Sequence, residues 1–205
     1  MLITEMKSRF IKDDATLPIV LYKNFSDEEH LMKFKQGNIL VRIIEFFHKV
    51  ENQRQDNTEN KASYKYQTGD NVINGSITSE NPTYILSTSG PCSDRSVCRQ
   101  KFGLYEVKII NPGRFKNELN NAWNANPLAL QGINVYRVEY SKGEFREIPE
   151  FMLEPYGIST WQKSKKYSKE DEYRFVFTCK MNPDIEYPDS ISLIIDNSTA
   201  NPMFE

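Results

Sequence analysis

The pattern of apolar and polar positions along the chain predicts a series of short strands. Residues 103–110 and 132–140 alternate between apolar and polar side chains, which is typical of half-buried strands. Apolar runs bounded by polar or turn-forming residues predict further strands at 18–23, 38–47, 83–89, 172–179 and 190–195, the second of which turns into a helix or loop. Weak strands are possible around 64–66 and 72–73, within the polar stretch 51–80.

Helices are predicted at fewer places. Ser26 can cap a helix, because Glu29 lies three residues later and acidic residues occupy the first turn; this helix would end near Gly37. A second helix is predicted over 112–123 and a short one over 149–157. Many short strands with a few helices predict an α+β fold, and 205 residues suit a single domain over 1–205.

Composition narrows the class of protein. The hydrophobic share of 39% is enough for a packed core, and a net charge of −2 argues against coating nucleic acid by bulk electrostatics, although a local basic groove is compatible with it. No apolar stretch approaches the roughly 18 residues that a membrane span needs, and the N-terminal residues do not form a secretion signal. Three cysteines are an odd number for a disulfide scaffold. They predict reduced thiols in a cytoplasmic protein.

Several common chemistries have no motif in this sequence. It contains two histidines, no CxxC and no HExxH, so a zinc site is not predicted. It also contains no GxSxG elbow, no P-loop and no GxGxxG, which removes the usual signals for a serine hydrolase, a nucleotide triphosphatase and a Rossmann dehydrogenase. The remaining candidates for chemistry are carboxylates, arginines, other basic groups and hydroxyls, without a metal.

Three segments concentrate such residues. The first, 51–59, is dense in opposite charges: it is either a solvated loop with local ion pairs or a segment that holds Arg54 for a phosphate. The second is Ser87-Thr88-Ser89, at the end of a predicted strand. These hydroxyls either satisfy backbone groups of the turn or orient a carboxylate or ligand.

The third segment is 170–174, at the entry to a predicted strand. Residues two apart on a strand share a face, which predicts that Glu170, Glu172 and Arg174 point together, with Arg174 offsetting the two carboxylates. A surface ladder of charges is the alternative. Lysines at 163, 165, 166 and 169 form a basic stretch just before it, which is either solvated or steers an anionic substrate.

Taken in order, a basic residue on an early strand, Ser87-Thr88-Ser89 and Glu170-x-Glu172 resemble the Arg, Ser-Thr-Ser, Glu-x-Glu pattern of mono-ADP-ribosyltransferases. The run 21–23, followed by a helix and Gly37, is also similar to the first strand and helix of that superfamily. A looser resemblance is to small bacterial and phage-defence proteins with an ExxRxDxxE-like segment and a late ExExR. The matching residues here are Glu51, Arg54, Asp56, Glu59, Glu170, Glu172 and Arg174.

The resemblance implies two small β-sheets packed around a cleft that holds NAD as substrate. Glu172 would hydrogen-bond the nicotinamide ribose and stabilise an oxocarbenium-like transition state. Glu170 would position or deprotonate the acceptor, and Ser87 would hold Glu172. Lysine follows Tyr22 where many relatives carry arginine, so Lys23, Arg42 or Arg54 would hold the NAD phosphates. The implied NAD-binding residues are therefore Tyr22, Lys23, Arg42, Arg54, Ser87, Thr88 and Ser89.

The function implied is that of an NAD-dependent mono-ADP-ribosyltransferase, acting in the cytoplasm as a bacterial toxin or antiphage effector. Its acceptor would be nucleic acid or protein, and an antitoxin protein is a possible partner. The alternatives are an NAD glycohydrolase that uses the same site with water as acceptor, and an inactive module that binds a nucleotide or a partner protein. A magnesium nuclease is a weaker alternative, because no carboxylate cluster has clear two-metal spacing.

Overall fold

The computed structural model describes residues 16–49, 62–68, 71–77, 81–141, 146–147, 162–197 and 202–205. Within them lie helices α1 (Glu28–Lys35), α2 (Phe46–Lys49), α3 (Arg95–Phe102) and α4 (Pro112–Asn124), and one 3-10 helix (Lys165–Glu170). The strands are β1 (Leu21–Phe25), β2 (Asn38–Ile43), β3 (Ala62–Thr68), β4 (Asn71–Ile77), β5 (Thr83–Ser89), β6 (Tyr105–Ile109), β7 (Asn134–Arg137), β8 (Glu139–Ser141), β9 (Arg146–Glu147), β10 (Gln162–Ser164), β11 (Glu172–Thr178) and β12 (Ser190–Ile194). The α+β class is confirmed.

Strand β5 organises the main sheet, which has seven strands. Its whole length pairs with β11, from Thr83–Thr178 to Ser89–Glu172, and β11 pairs in turn with β7. The remaining strands follow the order β12-β2-β5-β1-β6. Strands β4, β3 and β9 form a separate three-stranded sheet, and β8 pairs with β10 in a two-stranded one.

On its other side, β5 is shared between two diverging strands. Strand β2 pairs with its first half, through Ile43–Tyr84 and Arg42–Ile85. Strand β1 meets it only at its end, where Tyr22 lies opposite Ser89. The β12–β2 pair and the β1–β6 pair therefore separate beside residues 86–88 of β5, and this separation opens the molecule at its centre.

The hydrophobic core packs against one face of β11 and β5. Phe115 and Trp123 of α4 are fully buried, and their rings lie 5.4 and 5.3 Å from the rings of Phe175 and Phe177. Because strand residues alternate between faces, Glu172 and Arg174 project from the opposite face of β11. The side of the sheet away from α4 is thus where the charged residues lie.

Local departures from the predicted elements have physical reasons. The N-cap of α1 is Asp27 and not Ser26, because the Asp27 carboxylate accepts the backbone N–H of His30 at 2.8 Å. The predicted strand over 132–140 is interrupted at Val138, whose N–H donates to Glu172 O at 2.8 Å. Helix α3 was not predicted: it buries only Cys98, so its apolar pattern is weak. The short helix predicted over 149–157 lies outside the described residues.

Among the described residues, no helix is long and apolar enough to cross a membrane.

Candidate functional site

A cavity of about 430 Å³ occupies the place where β1 and β2 diverge from β5. Its lining brings together eight of the nine site residues predicted from the sequence: Tyr22, Lys23, Arg42, Ser87, Thr88, Ser89, Glu170 and Glu172. The ninth, Arg54, lies outside the described residues, as does the whole segment 51–59. The eight residues come from β1, β2, β5, the 3-10 helix and β11, so tertiary structure gathers positions separated by as many as 150 residues.

Glu172 is a buried carboxylate held by two cations. It is 4% exposed, its Oε1 accepts from Arg174 Nε at 2.7 Å, and its Oε2 lies 2.7 Å from Lys163 Nζ. Burial by itself would raise the pKa of Glu172, but the charges of Arg174 and Lys163 outweigh it and hold that pKa well below its usual range. Glu172 is therefore a fixed anion at neutral pH and cannot act as a proton donor there.

The backbone of Glu172 is fixed as well. Its N–H donates to the Tyr140 hydroxyl at 2.9 Å. Burial, and next the negative charge of Glu172, raise the pKa of Tyr140, so the phenol keeps its proton. Tyr140 lies opposite Lys163 in the β8–β10 pair, so this two-stranded sheet positions both the Tyr140 hydroxyl and the Lys163 ammonium group against Glu172.

Glu170 meets Glu172 by a different route from the one predicted. Strand β11 begins only at Glu172, while Glu170 ends the 3-10 helix, so the expectation that both share one strand face was wrong. Lys163 joins them instead, because its Nζ lies 3.0 Å from Glu170 Oε2 as well as 2.7 Å from Glu172 Oε2. Lys101 also pairs with Glu170. The cation that contacts both carboxylates is thus Lys163, and Arg174 pairs with Glu172.

Asp171 makes this arrangement possible. Its φ of +41° lies in the left-handed region, which Asp tolerates better than most residues, and it turns the chain from the 3-10 helix into β11. The Asp171 carboxylate accepts from Arg137 Nη2 at 2.8 Å and from the backbone N–H of Cys92 at 3.0 Å. Its carbonyl accepts the N–H of Gly90 at 2.7 Å. These contacts lock the ends of β5 and β11 together beside the cavity.

Gly90→Ala tests this lock. A Cβ at Gly90 would overlap the Asp171 carboxylate and come within 2.7 Å of the Tyr173 ring. We expect the substitution to lower the free energy of unfolding by about 1–3 kcal/mol, because a well-packed region must shift to admit it. The measurement is urea denaturation followed by circular dichroism.

Gly113→Ala is the matched control, since a Cβ there meets nothing within 4 Å and Gly113 lies in helix α4. Alanine costs less backbone entropy than glycine in a helix, so this variant should be equal to the wild type or up to about 1 kcal/mol more stable. A Gly90→Ala protein as stable as the Gly113→Ala protein would show that the Asp171 contacts are not tightly packed.

The three hydroxyl residues of β5 have different environments. Thr88 is 3% exposed and its hydroxyl donates to Tyr173 O at 3.1 Å, so it satisfies a backbone carbonyl. Ser89 Oγ lies 3.5 Å from Cys98 Sγ. Ser87 is half-buried at the cavity wall and lies opposite Arg174, while Ser89 lies opposite Glu172. The contacts that hold the Glu172 carboxylate come from Arg174 and Lys163, and not from Ser87 as the resemblance implied.

Two of the predicted phosphate-binding residues lie on the opposite walls of the cavity. Lys23 Nζ donates to Ser87 O at 2.8 Å, at the position along β5 where neither β1 nor β2 pairs. The guanidinium of Arg42 lies 4.3 Å from the centre of the Phe46 ring. Tyr22 is fixed in a similar manner, with Arg95 at 4.3 Å from its ring centre. The cavity thus has cations and aromatic rings on the β1 and β2 sides and paired carboxylates on the β11 side.

Four residues of the site were not assigned from the sequence: Lys101, Lys163, Tyr140 and Asp171. Lys163 belonged to a stretch of four lysines, and nothing in that stretch distinguishes a lysine that is 9% exposed in its side chain from its exposed neighbours. Tyr140 stood at the end of a predicted strand, which was the only signal for it. Among the described residues, no group of three or more His, Cys, Asp and Glu side chains could hold a metal ion.

In comparisons with known proteins, no family model, no curated protein and no solved structure matches this chain.

Proposed function

We propose that the chain is an NAD-dependent mono-ADP-ribosyltransferase whose site is the cavity between β1, β2, β5 and β11. The observation that carries the proposal is the convergence of the Ser-Thr-Ser strand end, the Glu-x-Glu pair and two basic residues on one cavity. A volume of about 430 Å³ lies within the usual range of roughly 300–1,000 Å³ for small-molecule sites. It suits the nicotinamide and ribose half of NAD, with the remainder of the molecule extending toward the opening.

The state of Glu172 fits the chemistry of this reaction. The bond between the nicotinamide nitrogen and ribose C1′ breaks, and nicotinamide leaves as a neutral molecule with the electron pair, so no acid is needed to protonate it. Positive charge develops on the ribose, where a permanently ionised carboxylate stabilises it. Each carboxylate oxygen has two acceptor positions, so Glu172 can accept a ribose hydroxyl in addition to its bonds from Arg174 and Lys163.

Glu170 would act on the acceptor. Glu170 lies two residues before Glu172 in the chain, and both carboxylates contact Lys163, so both face the same part of the cavity. An acceptor nucleophile attacks C1′ and gives up its proton to Glu170 or to water. Lys101 and Lys163 keep the Glu170 carboxylate in a defined position for that contact.

The phosphates of NAD would lie between Lys23 and Arg42. Arginine presents a planar fork that matches phosphate oxygens, and the Arg42 guanidinium lies 4.3 Å from the centre of the Phe46 ring. NAD is the substrate in this account and no metal is required. We also propose a cytoplasmic location, in keeping with the three free cysteines, of which Cys98 and Cys179 are buried.

The experiment that tests this function measures where the label of labelled NAD goes. NAD labelled in its adenylate is incubated with the protein and, separately, with cell protein, RNA and DNA as acceptors. We expect the label to become attached to one class of macromolecule. Release of free ADP-ribose alone would establish the glycohydrolase alternative, and NAD left intact with every acceptor would refute both enzymes in favour of a binding module.

A role as a bacterial toxin or antiphage effector, with an antitoxin protein as partner, is part of the same proposal. It rests on the resemblance of Glu170, Glu172 and Arg174 to the ExExR pattern. Expression of the wild-type chain in a bacterium should then arrest growth, and Glu172→Gln should relieve the arrest. Growth that is equal for wild type, Glu172→Gln and an empty vector would contradict the toxin role.

A further inference from the structure

A basic surface adjoins the cavity through Lys101 and Lys163. It comprises Arg99 and Lys101 of α3 together with Lys163, Lys165, Lys166 and Lys169. Residues 95–102 contain three basic and no acidic side chains, and residues 163–169 contain four basic and no acidic ones. The whole chain has a net charge of −2, so this concentration of positive charge is local.

The two segments of the basic surface pack directly together. The N–H of Asp94 donates to Lys169 O at 2.8 Å, and Lys169 Nζ lies 3.5 Å from the Asp94 carboxylate. Tyr167 lies between the segments, with the ammonium groups of Lys101 and Lys166 at 4.1 and 4.7 Å from its ring centre. An anion bound beside this cluster would reduce the repulsion between its like charges.

The basic surface is continuous with the cavity. Lys101, Phe102 and Lys163 line the cavity itself, and Lys101 Nζ lies 5.2 Å from the centre of the Phe102 ring. Lys101 and Lys163 pair with Glu170 and Glu172. Lys165, Lys166 and Lys169 are exposed to solvent, and Lys169 also lies 3.5 Å from Asp94. A polyanion on the exposed lysines would therefore lie next to lysines that line the cavity.

We propose that the basic surface binds the phosphate backbone of a single-stranded nucleic acid, which is the acceptor of the reaction. Its role as the acceptor rests on the proposed transferase function, but the binding itself does not. Ammonium groups are compact charges suited to phosphates, and aromatic rings interleaved with basic side chains form stacking platforms for unpaired bases. Phe102 at the cavity wall is placed to receive such a base.

A single strand fits this surface better than a duplex or an acidic protein. The acceptor atom must enter the cavity, and a base inside a duplex would first have to leave its stack, which costs a few kcal/mol. An acidic peptide would satisfy the lysines but offers no planar group for the rings of Phe102 and Tyr22, which both line the cavity.

The test is a binding experiment without NAD. Fluorescence anisotropy is measured with labelled single-stranded RNA, single-stranded DNA, a duplex and polyglutamate, each over a range of salt concentrations. We expect at least one single strand to bind more tightly than the duplex and polyglutamate. Its affinity should fall as salt rises, because phosphate contacts release counterions.

The variant that tests the surface is the triple substitution Lys165→Gln, Lys166→Gln and Lys169→Gln. Each lost phosphate contact reduces the salt slope by about 0.7 for a single strand, so the slope should fall by about 2 and the affinity by at least about tenfold. Lys180→Gln is the control, because exposed Lys180 follows the far end of β11, about 20 Å from the 3-10 helix by strand length. It should change the affinity by less than about twofold.

Binding to either single strand that is lost in the triple variant supports the inference. Comparison of the RNA and DNA affinities shows whether the ligand carries ribose or deoxyribose. Equal binding by wild type and triple variant, or binding of polyglutamate as tight as that of the single strands, overturns it. Failure of the proposed function is a separate result: single strands would bind while NAD stays intact. The opposite case, NAD consumed without binding of any single strand, would refute this inference alone.

Discussion

Replacing Glu172 by glutamine is expected to lower kcat/KM for NAD cleavage by about 10²–10³-fold, which is the usual cost of removing one electrostatic contact to a transition state. Glutamine keeps the shape of the side chain but removes the charge that would stabilise the ribose cation. Its NH2 group also replaces one of the two oxygens that accept from Arg174 and Lys163 in the wild type, so one of these donors then faces another donor. The measurement is nicotinamide release under initial-rate conditions.

Glu118→Gln is the control for that experiment. Glu118 lies in α4, is partly exposed and lies 4.0 Å from Arg114, so Glu118→Gln makes the same chemical change in a weaker ion pair outside the cavity. Its activity should stay within about twofold of the wild type, since exposed pairs contribute little. Circular dichroism of both variants separates a loss of chemistry from a loss of fold. A folded Glu172→Gln protein with full activity would remove Glu172 from the mechanism.

Arg174→Met should have the largest effect on stability. Arg174 is completely buried and donates to Glu172, so its removal leaves a buried carboxylate with one partner fewer. Breaking such a pair from one side typically costs about 3–5 kcal/mol. Urea denaturation at pH 7 measures the loss. Arg99→Met is the control, because Arg99 is half exposed and lies 3.8 Å from Glu106, and it should cost less than about 1 kcal/mol.

The cost of Arg174→Met should also depend on pH. In the wild type the folded-state pKa of Glu172 is depressed, so its ionic contribution is fully present above the unfolded pKa, for which the ordinary value is 4.5. That contribution is lost as pH falls below 4.5 toward the lower folded pKa. The difference in unfolding free energy between wild type and Arg174→Met should therefore shrink as pH falls from 5 to about 3. A difference that stays constant would assign the cost of the variant to packing instead of charge.

The strands around the cavity were largely predictable from local pattern. Strand β5 lies at 83–89 as predicted, and β11 lies within one residue of its predicted end, because both are dense in β-branched and aromatic residues. The strand predicted over 38–47 becomes β2 followed by α2, which matches the predicted change of structure. The periodicity of apolar residues and the residue composition are local properties of a segment, and they are sufficient to predict these strands.

The contacts within the site were not predictable in the same way. Glu170 and Glu172 were expected to share a strand face, but Asp171, with its positive φ, turns the chain between them, so that Glu170 ends the 3-10 helix and β11 begins at Glu172. Lys163 reaches both carboxylates only because β10 pairs with β8 in register with Tyr140. Such pairings join residues more than twenty positions apart, and no spacing rule along the chain specifies them. The order of the motifs along the chain was therefore a better guide to the residues of the site than the predicted contacts between their side chains.

The most direct test of the account is whether NAD occupies this cavity. NAD is titrated by calorimetry into Glu172→Gln, which should hold the substrate without consuming it, and into the same variant carrying Ser87→Tyr, whose ring would fill the space beside β5. We predict saturable one-to-one binding with a dissociation constant below roughly 1 mM, in the usual range for enzyme substrates, and its loss in the double variant. Undiminished binding in the double variant, or no binding to Glu172→Gln, would contradict the assignment of this cavity to NAD.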